Sequence, residues 1–159
     1  MILTETLATI AIAVISSWIT VQLSLSKFRS ERWWEKKVEA YERIIEAFHN
    51  SKKFASEHMS AEEEGREVSE VRTVELRKLA REARDEILKA SDMGSFILSE
   101  KALKILARYK SESENISRQQ SWHDCLADGW SIADRHMKEF IAEARRDLKK
   151  RNITMKLLT

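Results

Sequence analysis

The stretch Thr6–Ser26, TLATIAIAVISSWITVQLSLS, carries no charged residue over its 21 positions. At ~1.5 Å rise per residue, a helix of that length spans the roughly 30 Å hydrocarbon core of a bilayer. Residues 1–26 are therefore expected to form a transmembrane helix. The stretch is not uniformly apolar, because it includes Thr9, Ser16, Ser17, Thr20, Gln22 and Ser24. On a helical wheel Thr9, Ala13, Ser16, Thr20 and Ser24 share one face. Leu7, Val14, Trp18, Val21 and Leu25 lie on the other side. A passive anchor needs no such sidedness, whereas a helix that packs about an axis or lines water does.

The flanks set the orientation. Secretory signal peptides open with basic residues, and Met1–Leu7 holds Glu5 but no Lys or Arg. The cations come after the span, at Lys27, Arg29, Arg32, Lys36 and Lys37. By the positive-inside rule the N-terminus faces out and the rest is cytoplasmic. No second apolar run of roughly 18 residues follows, so a single pass is expected.

Composition points to an all-α protein. The chain has no proline, three glycines and 34 % charged residues, as long helices with solvated faces do. A lone Cys125 has no partner for an intramolecular disulfide and reads as a small core residue. The net charge of +2 conceals an uneven distribution. Residues 61–70 hold five Glu and one Arg, and residues 145–156 hold six Lys or Arg and one Asp. A near-neutral total excludes a uniformly basic nucleic-acid coat but allows local anion sites.

Four helices are expected. Nothing between Leu25 and Phe48 breaks the first, and Lys27, Trp34, Val38, Tyr41, Ile45 and Phe48 continue its stripe at heptad-like spacing. A repeat near 3.5 residues suits a supercoil between copies. The same stripe also suits packing on this chain's own helices. The first helix should end near Met59, with Ser60 and Glu63 forming a possible capping box for the next. The second should cover about Arg66–Ala90, burying Leu76, Leu79, Ala80, Ala83, Ile87 and Ala90. Ser91–Gly94 reads as a turn. Ser99 should cap a third helix, Glu100 to about Tyr109, with Ala102, Leu103, Ile105 and Leu106 inward. Ser111–Ser117 reads as a loop. The fourth helix should span about Arg118–Arg151, burying Trp122, Leu126, Trp130, Ala133, Met137, Phe140, Ile141, Ala144 and Leu148. Gly129 within it would permit a close contact or a bend. The expected organisation is a transmembrane helix at 1–26, a cytoplasmic four-helix domain at 27–151 and a short tail at 152–159.

No enzyme signature stands out. His49, His58, His123 and His136 lack the i, i+4 pairing that puts two metal ligands on one helix face, and His123-x-Cys125 is a poor metal site. Arg43…His49 and Arg118…His123 resemble the arginine–histidine spacing of helical HEPN ribonucleases. Ile44, however, stands where those enzymes usually have a polar residue. No catalytic residue, metal or cofactor is expected. Two cationic clusters are candidate anion sites. One is Arg29, Arg32, Lys36 and Lys37, which would otherwise only fix topology and touch anionic headgroups. The other is Arg145, Arg146, Lys149 and Lys150, near a helix C-terminus that favours cations in any case. Trp33 and Trp34 divide between core, membrane interface and a stacking role.

The run Phe28-Arg29-Ser30-Glu31-Arg32-Trp33-Trp34-Glu35-Lys36-Lys37-Val38-Glu39-Ala40-Tyr41 directly after one span resembles a group of small bacterial membrane proteins. Phe96-Ile97-Leu98-Ser99-Glu100-Lys101-Ala102 opens the third helix in a similar way. Some proteins of this layout are effectors in anti-phage operons, and the plan is similar to the transmembrane effectors of Hailong systems. The resemblance implies a tetrameric ion channel in the bacterial inner membrane. It would be held closed by a DNA oligomer made by a partner nucleotidyltransferase. No ligand residues transfer by this resemblance. The expectation is thus a homo-oligomer, a tetramer or similar, gated by a nucleic-acid or nucleotide ligand. Thr9, Ala13, Ser16 and Thr20 would line its pore and Lys27 would stand at its inner mouth. The alternative is a membrane-tethered helical module that recruits a cytosolic partner without forming a pore.

Overall fold

In the computed structural model the backbone is described for residues 2–116 and 121–156, and side chains for 15–116 and 121–149. The described chain is all helix and turn. In order it forms α1 (Ile2–Glu63), α2 (Glu70–Met93), a short 3-10 turn (Gly94–Phe96), α3 (Glu100–Glu114) and α4 (Trp122–Lys156). It divides into two compact units, Met1–Lys37 and Val38–Thr159. α1 is uninterrupted through its 62 residues, as its lack of glycine and proline requires.

The second unit is an up-down-up-down bundle, and its polar cross-links record the pairing. Between α1 and α2, Glu57 meets Arg72 and Arg43 meets Glu86, so the two helices run antiparallel. Between α1 and α4 the sequence is Tyr41–Asp147, Lys52–Asp134 and Glu62–His123. Between α3 and α4 it is Ser99–Glu143 and Glu112–His136. Each helix therefore packs beside its chain neighbours, and α1 closes the ring with α4.

The core is aromatic at its centre. Phe48 is fully buried, with its ring centroid 5.0 Å from Tyr109 in an edge-on contact and 5.9 Å from Phe140. Tyr41 lies 5.3 Å from Phe140. Such pairs add to the ~1.5–3 kcal/mol that each buried large side chain contributes by leaving water. Ile87 from α2 and Ile105 and Leu106 from α3 complete the cluster. The α1 stripe therefore packs on this chain's own helices from Tyr41 onward. Ile44 and Ala47, off the heptad line, are buried with it, because a helix facing a bundle core presents a wider face than a coiled-coil seam.

Several boundaries differ from expectation for local reasons. α1 passes through Ser60 to Glu63 and stops at Gly65, whose φ of +66° few other residues adopt. The Arg66 amide donates to the Ala61 carbonyl and the Gly65 amide to Glu62, which is a Schellman closure. Ser60 caps nothing. α2 opens at Glu70 because the Ser69 hydroxyl accepts from the Arg72 amide. α2 continues to Met93, and Gly94 sits in the 3-10 turn, where a Cβ would lie 2.7 Å from Leu98 Cδ1. Ser99 caps α3 as expected, accepting from the Ala102 amide. α3 runs on through the serine-rich stretch to Glu114, because Arg108–Glu139 and Glu112–Arg135 tie its last turns to α4. Ser121 caps α4 by accepting from the Asp124 amide, and the helix continues past Arg151 to Lys156. Among the described residues a Cβ on Gly129 would meet Ile116 Cδ1 at 3.8 Å, an ordinary van der Waals distance. Trp122, expected in the core, is 59 % exposed.

One polar pair is sunk into the α1–α4 seam. Lys52 Nζ is 2.6 Å from Asp134 Oδ1, and the two side chains are only 13 % and 14 % exposed. The ammonium also lies 5.2 Å from the Trp130 ring centroid. Lys138, then Lys52, hold the Asp134 carboxyl below the usual range.

Candidate functional site

In the first unit, Ile15, Trp18, Ile19, Val21, Leu23, Leu25, Phe28 and Trp33 are all exposed. Apolar side chains thus stand outward over most of the circumference of α1 between residues 15 and 28, apart from the arc of Ser16, Thr20, Ser24 and Lys27. Ser16 and Thr20 are exposed among them. The Thr20 hydroxyl donates to the Ser16 carbonyl at 2.8 Å, one turn back on the same helix. The side chains of Thr9 and Ala13 lie outside the described residues. Among the described residues, no helix is long and apolar enough to cross a membrane. Thr6–Val14, the first part of the expected span, falls outside those with described side chains.

Lys27, Arg29, Arg32 and Lys36 are exposed, and Lys37 is half-buried. The Arg32 guanidinium stacks over Phe28, 5.3 Å from the ring centroid, which pairs a cation with an apolar ring on one face. Trp33 is exposed, while Trp34 is half-buried and its indole N–H is buried without an acceptor among the described residues.

The second cationic cluster is less uniform than its sequence. Arg145 and Lys149 are exposed, and Lys150 lies outside the described side chains. Arg146 Nη1 donates to Glu143 Oε2 at 3.2 Å, so part of its charge is already engaged. Glu143 is buried, and its other oxygen accepts from the Ser99 hydroxyl at 3.0 Å. Lys101 Nζ approaches the same carboxylate at 3.9 Å. Beside this, the Tyr41 hydroxyl donates to Asp147 at 2.6 Å and accepts from the Ser99 amide at 3.3 Å. Burial, then the bond to Asp147, push the Tyr41 phenol up to about 12. α1, α4 and the start of α3 thus meet at one polar node. The periodicity marked Tyr41 and Ser99 but not Glu143, because a buried carboxylate is found only through its distant partners.

Two histidines are paired across the bundle. His136 is fully buried, with Nε2 3.1 Å from Glu112 and Nδ1 without a partner among the described residues. His136 and then Arg135 hold the Glu112 carboxyl low. His123 Nδ1 meets Glu62 at 2.8 Å, and that bond raises the imidazole. Arg43 points to Glu86, while His49 is exposed. Arg118 lies outside the described residues. Among the described residues no three His, Cys, Asp or Glu side chains group as a metal site. No family model, no curated protein and no solved structure matches the chain.

Proposed function

We propose that the chain is a homo-oligomeric effector of the bacterial inner membrane that forms a gated ion channel in anti-phage defence. The carrying observation is the exposed apolar band at residues 15–28 of α1, on a helix that runs unbroken into the bundle core. A broad arc of exposed apolar side chains on a helix has no stable place in water and is at home in lipid or against other copies. The uncharged run Thr6–Ser26 extends that band toward the N-terminus.

In this reading α1 crosses once, N-terminus out, and the bundle is cytoplasmic. A small set of copies, four by the resemblance, surrounds an axis lined by Thr9, Ala13, Ser16 and Thr20, with Lys27 below. A DNA oligomer or nucleotide, made by a separate enzyme, binds Arg29, Arg32, Lys36 and Lys37 or Arg145, Lys149 and Lys150. Binding one arrangement of the bundles better than the other shifts the pore between closed and open. Arg146 contributes less, because Glu143 engages it.

Detergent-solubilised protein should then have a mass that is a small multiple of 18.6 kDa. Replacing Ser16 and Thr20 together with Leu should abolish conductance across a planar bilayer while the oligomer persists. A monomer, or an unchanged current, would remove the pore. Changing Arg145, Lys149 and Lys150 to Glu should reduce oligonucleotide binding. Unchanged binding would move the ligand to the other cluster or exclude it.

One observation favours the second reading, a membrane-tethered module without a pore. The Thr20 hydroxyl finds its acceptor within its own helix, so that face requires no water. In that case the Leu substitutions leave no electrical phenotype, and the bundle alone recruits a cytosolic partner.

A further inference from the structure

Where α1 gives way to α2, three rings from α1 and α4 close the end of the bundle. Phe54 and His58 have centroids 4.5 Å apart. Trp122 meets Phe54 at 5.9 Å and an 88° interplanar angle, and meets His58 at 6.2 Å. These edge-on contacts fix the indole plane while leaving Trp122 59 % exposed. The indole borders an open cavity of about 360 Å³ that is also lined by His58, Glu62, Arg66, Glu67 and Val68. That is the size of a small ligand site, or of a pocket for one long side chain.

The charges of the cavity select the occupant. Arg66 is bonded to Glu64, and Glu62 to His123. Glu67 has no ion-pair or hydrogen-bond partner among the described residues. The stretch around it, residues 61–70, which spans the end of α1, the connection and the first residue of α2, holds five Glu against that one Arg. Glu62 first, with Asp124 and Glu63 adding, holds the His123 imidazole above its ordinary range, as a locally negative field does. A phosphate would be repelled here and a cation drawn in. A guanidinium is planar enough to stack on Trp122 and forked enough to bond Glu67.

We propose that this cavity is a docking site for an arginine side chain on a basic segment of a protein partner. The charge complementarity lies in the acidic connection, the anchor is the preoriented indole, and the specific bond is to Glu67. The site is independent of whether α1 forms a pore. It also opposes in sign the cationic clusters proposed for the nucleic-acid ligand, so the two ends of the bundle take different partners.

The test uses the full chain in dodecyl maltoside micelles and a fluorescein-labelled hexa-arginine peptide, followed by anisotropy. Saturable binding is expected. Trp122→Leu should weaken it roughly five-fold or more, as loss of a cation–π contact requires. Glu67→Gln should weaken it several-fold and flatten its salt dependence. Trp122→Phe keeps a ring and should fall between wild type and Trp122→Leu, which separates lost stacking from lost folding. Far-UV circular dichroism should be unchanged for all three. The proposal fails if the peptide does not bind, or if all three variants bind it as wild type does. It also fails if free arginine methyl ester competes at the same concentration as the peptide, which would make the occupant a small molecule.

Discussion

The two halves of α1 are one helix under opposite rules. Between residues 15 and 28 the large apolar side chains stand outward, Leu23 being 67 % exposed. Between Tyr41 and Phe48 they are sealed inside a bundle. The backbone does not distinguish them, since no break separates the halves. The difference lies in what surrounds each face. The later half meets three other helices that supply Tyr109, Phe140 and Ile87, whereas the earlier half presents its apolar surface unspent. Helical periodicity therefore reports a face to be covered without naming the cover, whether the chain itself, a second copy or lipid.

Substitutions can break or sharpen that contrast. The largest effect should come from Phe48→Ala, which empties the centre of the aromatic cluster. It should cost about 3–5 kcal/mol by transfer and cavity terms together, read as a lowered midpoint in thermal or urea unfolding of the micelle-bound protein. The matched change Leu23→Ala should shift bundle unfolding by no more than about 0.5 kcal/mol. Equal costs would mean that residues 15–28 are packed into the same cooperative unit.

Tyr41→Phe should come next, at about 1–2 kcal/mol, since it removes a donor to Asp147 and an acceptor for the Ser99 amide. It also carries a pH signature. The folded state favours the neutral phenol, so its contribution is intact below about pH 10, where unfolded phenols ionise. That contribution is lost as pH rises toward the folded value of about 12. The variant should lose stability less steeply over that window than wild type. A smaller alkaline slope should remain, because burial raises Tyr109 too. Identical slopes would place the Tyr41 hydroxyl outside the node.

Ser99→Ala should cost about 1 kcal/mol through the lost cap of α3. The cost should exceed that of Ser69→Ala, because Ser99 also donates to the buried Glu143. Equivalent values from a denaturant series would show that the Glu143 contact contributes nothing net.

What could be read from the chain follows the same division. The all-α class, the Ser99 cap and the inward lines Leu76–Ala83–Ile87 and Ala102–Ile105–Leu106 were legible, because caps and apolar spacing are local codes. The last turns of α3 were not. Ser111 and Ser113 look like a loop until Glu112 and Arg108 pair across to α4. Buried His136 and Glu143 could not be foreseen, because the bonds to Glu112 and Ser99 that accompany their burial come from more than twenty positions away. Trp122 misled in the other direction. Its spacing places it on the apolar line of α4, but its ring meets Phe54 and His58 of α1 edge-on and stays 59 % exposed beside an open cavity.

The Lys52–Asp134 pair has a consequence for how the bundle finds its alignment. Removing two charges from water costs several kcal/mol per ion, so such a pair adds little net adhesion. Its effect lies in the misaligned states. α1 and α4 both present runs of Ala and large apolar residues that would tolerate a slide of one turn, about 5.4 Å. Such a slide would carry the desolvated ammonium away from both Asp134 and Trp130, while Asp134 would keep Lys138 alone. The pair thus acts as a key, excluding neighbouring registers of a seam that hydrophobicity alone would leave degenerate.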